Sequence, residues 1–293
     1  MARAGGEMAT HSAGSPAKVN LTLAVRPRRA DGFHPIESLV ALLDFCDRVT
    51  IEPADRGRLE VVCDDPGVPI GDDNLVVRAA RRLAAAADIE APAARIRIEK
   101  RIPMGAGLGG GSSNAATTLR LLNQLWGLHW SVDRLSLVAQ EVGADVPLFL
   151  RGVVSFVSGR GEHVQELAAE LRSWVVLILP DIHADTAAVY RRFDRLPPPP
   201  RCKHAALLRM ERIGEAQLPD MFNDLEPAAF DLHPPLRELH ARAERLAARP
   251  VRMSGSGSAL YTLVDEAVEA RRLADAMASD LRIRVAVVAA HGR

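Results

Sequence analysis

Residues 103–114 read PMGAGLGGGSSN and run directly into the helix-like stretch AATTLRLLNQLW. Five of the seven residues from position 105 to position 111 are glycine. Because glycine loses more conformational freedom on folding than any other residue, such a cluster is expected where the backbone bends tightly or approaches a ligand. Its bare amides, opening onto a helix that begins near Ser112, are typical of a phosphate-binding loop. One helix dipole contributes only about 0.3–1 kcal/mol, so a triphosphate requires several amides together.

Two familiar glycine-rich loops fit this stretch poorly. Gly105, Gly107 and Gly110 satisfy G-x-G-x-x-G, but the dinucleotide fingerprint requires a buried strand before it and another strand after the first helix. Here the preceding segment, ARIRIEKRI, alternates with charged residues, and a second helix is predicted from residue 131. A Walker A loop ends in Gly-Lys-Ser/Thr, and no lysine occurs between Met104 and Asn123. A flexible surface loop remains an alternative, although linkers rarely lie between a strand and a well-formed helix.

The order of predicted elements favours an α+β fold with much antiparallel pairing. Strands are predicted over 17–25, 36–43, 48–52, 58–63, 94–102, 153–158, 174–180, 250–253, 259–264 and 283–288. Helices are predicted after Asp72 or Asp73, after the glycine loop, and over 131–142, 184–193, 203–213, 235–248 and 266–279. We divide the chain into a disordered tail at 1–14, an N-terminal domain at 15–166 and a C-terminal domain at 167–293.

Composition limits the classes of function. The 293 residues contain 37 basic and 37 acidic side chains, so no net field draws the molecule onto nucleic acid or an anionic membrane. The three cysteines are far apart, without zinc-site spacing, and are interpreted as reduced thiols of a cytoplasmic protein. The first residues lack the apolar stretch of a signal peptide, and nowhere do about eighteen apolar residues follow one another.

The segment AKVNLTLAV at 17–25 alternates in polarity. Valines and leucines fall on one face, whereas Lys18, Asn20 and Thr22 fall on the other. This pattern predicts a strand with a polar working face. From the residues alone, Lys18 is interpreted as a solvated residue at a sheet edge.

The stretch PMGAGLGGGSSNAA closely resembles the phosphate loop of the GHMP small-molecule kinases. The same resemblance is carried, in order, by SPAKVNLTLAV (15–25), RRADGFHPIESL (28–39), DNLVVRAA (73–80), GADVPLFLRG (143–152), NDLE (223–226) and MSGSGSALY (253–261). It implies a two-domain fold, with an N-terminal domain like one found in a ribosomal protein and a C-terminal ferredoxin-like α/β sandwich. More narrowly, it points to the branch that phosphorylates the 2-hydroxyl of 4-diphosphocytidyl-2-C-methyl-D-erythritol with ATP, in non-mevalonate isoprenoid biosynthesis.

The resemblance assigns the chemical step to Asp145 and Lys18. Phosphoryl transfer requires alignment, charge neutralisation and one group that accepts the hydroxyl proton. Asp145 is implied to be that base, with Lys18 and Asn20 beside it, although alone it reads as an ordinary turn aspartate. The implied ATP-binding residues are Pro103, Met104, Gly105, Ala106, Gly107, Leu108, Gly109, Gly110, Gly111, Ser112 and Ser113.

The cytidyl end of the acceptor is assigned by the same resemblance. Phe33 and His34 would line the cytosine pocket by stacking and hydrogen bonding, and Tyr190 would close its opposite side. Phe33 stands where most relatives carry tyrosine, which removes one hydroxyl but keeps the ring. Phe33 and Tyr190 are alternatively core aromatics. Further substrate contacts are implied for Thr186, in the segment DIHADTAAVY (181–190), and for Ser254 and Gly255, although MSGSGS alone reads as a tight turn.

Cofactors, partners and competing functions complete the expectations. The metal is Mg²⁺ carried by ATP, with Ser112 or Ser113 as a possible ligand, since the chain shows no carboxylate cluster that would enclose an ion. The basic stretches at 26–29 and 191–195 could meet substrate phosphates or simply face solvent. The protein is expected to be a monomer or homodimer with a small-molecule substrate and no nucleic-acid or membrane partner. A homoserine or mevalonate kinase, a noncatalytic nucleotide-binding regulator and an RNA-binding module are the alternatives.

Overall fold

The structure is a computed structural model that describes residues 10–199 and 207–292. The strands are β1 His11–Val25, β2 Ile36–Glu52, β3 Leu59–Cys63, β4 Ala94–Glu99, β5 Val154–Gly159, β6 His163–Glu166, β7 Glu170–Leu171, β8 Trp174–Leu179, β9 Arg212–Ile213, β10 Phe222–Asn223, β11 Arg252–Met253, β12 Leu260–Val264 and β13 Arg284–Val288. The α-helices are α1 Leu75–Ala86, α2 Gly110–Leu125, α3 Val132–Val142, α4 Thr186–Phe193, α5 Glu226–Leu232, α6 Pro234–Ala247 and α7 Ala267–Leu281. Short 3-10 helices span Pro147–Leu150, Leu207–Arg209 and Glu215–Asp220.

The first of two compact units contains residues 46–101 and 110–150 together with the described residues up to Ser15. In it, β4 pairs antiparallel with the end of β2 and parallel with β3. The alternating sequence of β4 buries Ala94, Ile96 and Ile98 and exposes its charged residues. The helices α1, α2 and α3 pack against one another. Asn74 caps α1 by accepting the Val76 N–H at 2.8 Å, so the helix starts after the two predicted aspartate caps.

The second unit contains residues 16–45, 102–109 and those from 151 onward. Its C-terminal part is an antiparallel sheet with the order β11-β12-β8-β13. With helices between β8 and β11 and between β12 and β13, this order is the predicted ferredoxin-like arrangement. The apolar strand β8 is buried on both faces. Val175 and Leu177 belong to the core cluster that includes Leu39 and Ala41 of β2, whereas Val176 and Ile178 belong to the cluster with α6 and α7.

The same unit holds the second half of β1 and the first half of β2. Strand β1 pairs parallel with β10, where Thr22 lies opposite Phe222. Strand β2 pairs antiparallel with β5, where Ile36 lies opposite Gly159. Every residue of β1 from Ser15 onward is buried, including its polar face. The predicted strand is therefore confirmed, but its polar face, formed by Lys18, Asn20 and Thr22, is buried.

Several local predictions are wrong. Residues 11–14 were predicted to be disordered but begin β1, where the Ser12 hydroxyl bonds the Thr50 hydroxyl of β2 at 2.9 Å; residues 1–9 lie outside the described residues. The two strands predicted over 36–52 form one strand, β2. The helix predicted over 203–213 forms a 3-10 turn and strand β9 over its described part, 207–213. Its few apolar residues are compatible with either structure.

The compact units alternate along the sequence, whereas we predicted a single boundary near residue 166. That boundary remains a prediction about folding domains. In the described part of the chain, none of the helices combines the length and the apolar character that a membrane crossing requires.

Candidate active site

The glycine loop lies between residue 102 and the start of α2 at Gly110. Gly105, Gly107 and Gly109 all have positive φ angles, of 65°, 74° and 72°. The loop is also tightly enclosed, since a Cβ at Gly107 would lie 2.0 Å from the Ser254 carbonyl oxygen. Glycine is therefore required at position 107 by both backbone conformation and space. A flexible linker would show neither constraint.

A second small-residue loop, Ser254–Ser258, packs on the glycine loop within the same unit. The Ser254 hydroxyl donates to the Gly107 carbonyl at 2.9 Å, and the Ala259 N–H donates to the Ala106 carbonyl at 3.0 Å. The loop joins the antiparallel strands β11 and β12, so its interpretation as a tight turn is also correct. We call these two segments the paired loops: residues 105–109 and 254–258.

Asn223 fastens the second of the paired loops from behind. Its side-chain amide donates to the Met253 carbonyl at 2.8 Å and to the Gly255 carbonyl at 2.7 Å, while its Oδ1 accepts the Leu225 N–H. Sequence reasoning singled out the NDLE segment without giving Asn223 a role. Glu226, the last residue of this segment, accepts the Met253 N–H at 2.8 Å. Burial raises the pKa of the Glu226 carboxyl group.

Lys18 and Asn20 lie against the paired loops. Each is 6% exposed, and the Lys18 ammonium donates to the Asn20 Oδ1. The Lys18 N–H donates to the Leu108 carbonyl at 2.9 Å, and its Nζ lies 3.2 Å from the position of a Cβ on Gly255. The interpretation of Lys18 as a solvated edge residue is therefore wrong. The ammonium is instead a buried cation beside the backbone of the paired loops.

The strand that carries these two residues is held rigidly. Asn20 Nδ2 donates to the Ser38 hydroxyl at 2.7 Å, and the buried Tyr261 hydroxyl donates to the Asn20 carbonyl at 2.9 Å. Burial raises the pKa of Tyr261 well above its usual value, so the phenol remains a donor at neutral pH. Both contacts fix the polar face of β1 relative to its own unit.

Asp145 belongs to the other compact unit. It lies in a turn closed by the Val146 N–H and the Gly143 carbonyl at 3.1 Å, directly after α3 and before the buried 3-10 helix Pro147–Leu150. Its side chain is exposed, and no described residue forms an ion pair or hydrogen bond with its carboxylate. The predicted contact between Asp145 and Lys18 remains a prediction.

The two serines suggested for nucleotide or metal binding lie in the first turn of α2 and differ in burial and bonding. Ser113 is fully buried, and its hydroxyl accepts a hydrogen bond from the Ser15 hydroxyl at 2.8 Å. Ser112 is half-buried. Asn114, which follows Ser113, donates to the Asp47 carboxylate at 3.0 Å. The same carboxylate forms a buried ion pair with Lys100. Ser113 therefore serves the packing of α2, and Ser112 is the better placed of the two for a ligand.

The residues predicted to bind cytidine form a group within the second unit. The His34 ring is buried, with its centroid 5.4 Å from that of Tyr190, and its Nε2 lies 3.0 Å from Asp194. Its Nδ1 lies 2.9 Å from the Arg26 carbonyl. Because both ring nitrogens already face acceptors, His34 must release one partner before its ring can bond a base. Phe33 is exposed, so its interpretation as a core aromatic is wrong, whereas Tyr190 is half-buried against the core.

Two further contacts extend the site beyond the predicted residues. Thr186 lies at the start of α4, and its hydroxyl bonds the Ser256 hydroxyl of the paired loops at 2.8 Å. His183 is exposed, and its Nδ1 lies 2.4 Å from the position of a Cβ on Gly105. Sequence reasoning gave no role to Ser256 or His183. The motif DIHADT was recognised, but only the fold brings it onto the glycine loop.

Comparison with family descriptions gives matches in both halves of the chain. The description "GHMP kinases N terminal domain" matches residues 74–153, and "GHMP kinases C terminal" matches residues 204–283. The two matches lie on either side of the predicted boundary near residue 166. A crystal structure of a homoserine kinase from Cytophaga hutchinsonii shares the fold, with a TM-score of 0.73 at 20% identity over 99% of this chain and 96% of that one.

Curated relatives and one solved structure are more similar. The 4-diphosphocytidyl-2-C-methyl-D-erythritol kinase of Chlorobium limicola is 36% identical over 87% of this chain and 88% of its own length. That of Burkholderia mallei is 39% identical over 84% and 83%. A crystal structure of 4-(cytidine 5'-diphospho)-2C-methyl-D-erythritol kinase has a TM-score of 0.79 at 36% identity, covering 96% of this chain and all of that one. The chain therefore belongs to the GHMP kinase family, in the branch of the 4-diphosphocytidyl-2-C-methyl-D-erythritol kinases.

Proposed function

We propose that this protein transfers the γ-phosphoryl group of ATP to the 2-hydroxyl of 4-diphosphocytidyl-2-C-methyl-D-erythritol, giving the 2-phosphate and ADP. The reaction is a step of non-mevalonate isoprenoid precursor biosynthesis. The observation that carries the proposal is the packing of the paired loops against the buried Lys18–Asn20 pair. This arrangement supplies main-chain donors and one buried cation, which are the groups that an ATP-dependent phosphoryl transfer requires.

The glycine loop is proposed to hold the phosphates of ATP. Alternating residues of the loop have positive φ angles, a conformation found in main-chain anion sites, and the chain then enters the N-terminus of α2. The proposal includes every residue from Pro103 to Ser113. Mg²⁺ would arrive as part of the Mg–ATP substrate. Ser112 fits a role as its ligand better than Ser113, whose hydroxyl is buried and already bonded to Ser15.

The proton of the acceptor hydroxyl is proposed to pass to Asp145. As the acceptor oxygen bonds to the γ-phosphorus, the bond between the γ-phosphorus and the β,γ-bridging oxygen breaks and ADP leaves. The Asp145 carboxylate is exposed and pairs with none of the residues that the structure describes, so it is available for this purpose. Lys18 is proposed to orient the acceptor and to favour the ionised carboxylate, with Asn20 fixing the ammonium.

The acceptor is proposed to bind by its cytosine between Phe33 and Tyr190, with His34 as a hydrogen-bonding group. The exposed ring of Phe33 is suited to stacking on a base. Thr186, Ser254 and Gly255 would contact the remainder of the acceptor, and the bond from Thr186 to Ser256 brings α4 to the paired loops. We further propose a cytoplasmic enzyme, monomeric or homodimeric.

A parallel assay of ADP release tests this function. The purified protein would receive Mg–ATP with 4-diphosphocytidyl-2-C-methyl-D-erythritol, homoserine or mevalonate in separate reactions. We expect acceptor-dependent ADP release with the cytidyl compound alone. Preference for homoserine or mevalonate would contradict the acceptor, and ATP binding without release in any reaction would favour a noncatalytic regulator.

A further inference from the structure

A guanidinium group covers one side of the exposed aromatic ring at the predicted cytidyl end. The Arg160 Cζ lies 3.6 Å from the centroid of the Phe33 ring, which is the distance of a stacked cation–π contact. Phe33 remains 47% exposed with the guanidinium in place. The ring therefore keeps free surface on which a base can stack, next to a fixed cation.

The sheet explains why these two residues meet. Arg160 lies in the turn that joins β5 and β6, and the last residue of β5, Gly159, is paired with Ile36 at the start of β2. Phe33 precedes Ile36 by three residues. Glycines on both sides of Arg160, with φ angles of 74° and 121°, let the turn direct the side chain over the ring. The contact is thus built by strand pairing within one unit.

Arg160 differs from the arginines that the sequence suggested for phosphate binding. Five members of the two basic stretches each lie within 4.0 Å of a carboxylate: Arg26, Arg28, Arg29, Arg191 and Arg192. In the described part of the chain, no carboxylate pairs with the Arg160 guanidinium; its only bond to Glu162 is made by the main-chain N–H. Its charge is therefore available to an anionic ligand.

We propose that Arg160 binds the diphosphate of the acceptor and thereby selects a cytidine that carries a diphosphate. This inference rests on the proposed function. A nucleoside diphosphate places its phosphates one ribose away from the base, so a base stacked on Phe33 brings them within reach of an arginine stacked on the same ring. A guanidinium is suited to the task because it is planar, weakly hydrated and able to bond two phosphate oxygens at once.

Calorimetric titration of cytidine, cytidine 5'-diphosphate (CDP) and ADP tests this assignment. The proteins would be the parent, Arg160→Gln, Arg160→Lys and the control Arg271→Gln, which removes an exposed arginine of α7. For Arg160→Gln we expect CDP binding to weaken about tenfold, since bonds to charged groups contribute that much or more. Binding of cytidine and ADP should change by less than about twofold, as should all binding to the control. Arg160→Lys should keep part of the CDP affinity.

Each other outcome contradicts the assignment. An equal loss for cytidine and CDP would make Arg160 a support of the ring, and a parallel loss for ADP would place it at the phosphate donor. Tighter binding of cytidine and CDP would mean that Arg160 competes with the base for the ring. An Arg160→Lys variant as weak as Arg160→Gln would exclude charge as the cause. If the parent protein itself does not bind CDP, both the proposed acceptor and this inference are contradicted. If the parent binds CDP and only the Arg160 variants depart from the expected result, this inference alone fails.

Discussion

The paired loops and the proposed nucleoside end of the second unit, which we define as Phe33, His34 and Tyr190, are built in different ways. In the paired loops, main chain meets main chain: a Cβ at Gly107 would come within 2.0 Å of a carbonyl oxygen, and Ser254 bonds back to Gly107. At the nucleoside end, the contacts are made between side chains. Arg160 covers Phe33, and His34 is held by Asp194.

This difference decides which end tolerates change. A main-chain site has no side chain that can be altered without moving the backbone, so small substitutions should damage it severely. A side-chain site can lose one group and keep the rest, so its specificity can vary while the catalytic chemistry is retained.

The largest effect is expected from Asp145→Ala, which should leave both ends intact. Loss of a positioned base should lower kcat by about a hundredfold to ten thousandfold. ADP and CDP affinities should stay at the parent values, because neither end is altered. Steady-state kinetics measures kcat, and titration calorimetry measures the ADP and CDP affinities. Asp145→Asn is a second variant, which keeps the shape of the side chain. Turnover at the parent rate would remove Asp145 from the mechanism.

The next effect is expected from Gly107→Ala in the paired loops. The new methyl group would overlap the Ser254 carbonyl, and the residue would hold a φ of 74°. Strain of this kind costs on the order of 1–3 kcal/mol, so kcat/KM for ATP should fall roughly a hundredfold, with a lower melting temperature. The control for the melting temperature is Gly111→Ala in α2, whose methyl group would lie in ordinary contact with the Leu75 Cδ1 at 3.8 Å and should not lower the melting temperature. Equal melting temperatures of the two variants would contradict the proposed packing.

At the nucleoside end, Phe33→Ala should have a moderate and selective effect. Stacking of a base on an aromatic side chain contributes about 1–3 kcal/mol, so cytidine and CDP should bind about tenfold more weakly. ADP binding should be unchanged, and Phe33→Tyr should keep the parent affinity or exceed it. Calorimetry with the three ligands decides the matter. A loss of ADP affinity in Phe33→Ala would show that the two ends are not independent.

The smallest effect concerns Glu226 behind the paired loops. Burial raises the pKa of its carboxyl group in the folded state, so between the ordinary and the raised pKa the folded protein holds a proton that the unfolded chain releases. Its contribution to stability is complete below the ordinary pKa of glutamate and is lost as pH rises through the raised value. Glu226→Gln keeps an acceptor for the Met253 N–H. The parent should therefore lose melting temperature relative to this variant as pH rises, and a constant difference across pH would contradict the interpretation.

The sequence predicted the main-chain part of the site better than the side-chain part. Glycine at positions 105, 107 and 109 is a local signal of unusual backbone, and the alternation around Lys18 is a local signal of a strand. The partners of Phe33 depend on strand pairing, which no local pattern reveals, so Arg160 was missed. The burial of Lys18 was also missed, because alternation indicates two faces without telling whether the polar face is covered.

Long-range contacts account for the remaining differences. The continuity of β2 and the start of β1 at His11 come from pairing within the sheet rather than from propensity. Asn223 and His183 sit in recognised motifs, but their roles follow from contacts with Gly255 and Gly105.

A crystal structure with a non-hydrolysable ATP analogue tests the main-chain phosphate site most directly. The account predicts that the β- and γ-phosphates accept hydrogen bonds from main-chain amides of the glycine loop, beginning at Gly105. A triphosphate bound away from residues 105–109, in a structure where the paired loops keep their contacts, would contradict it.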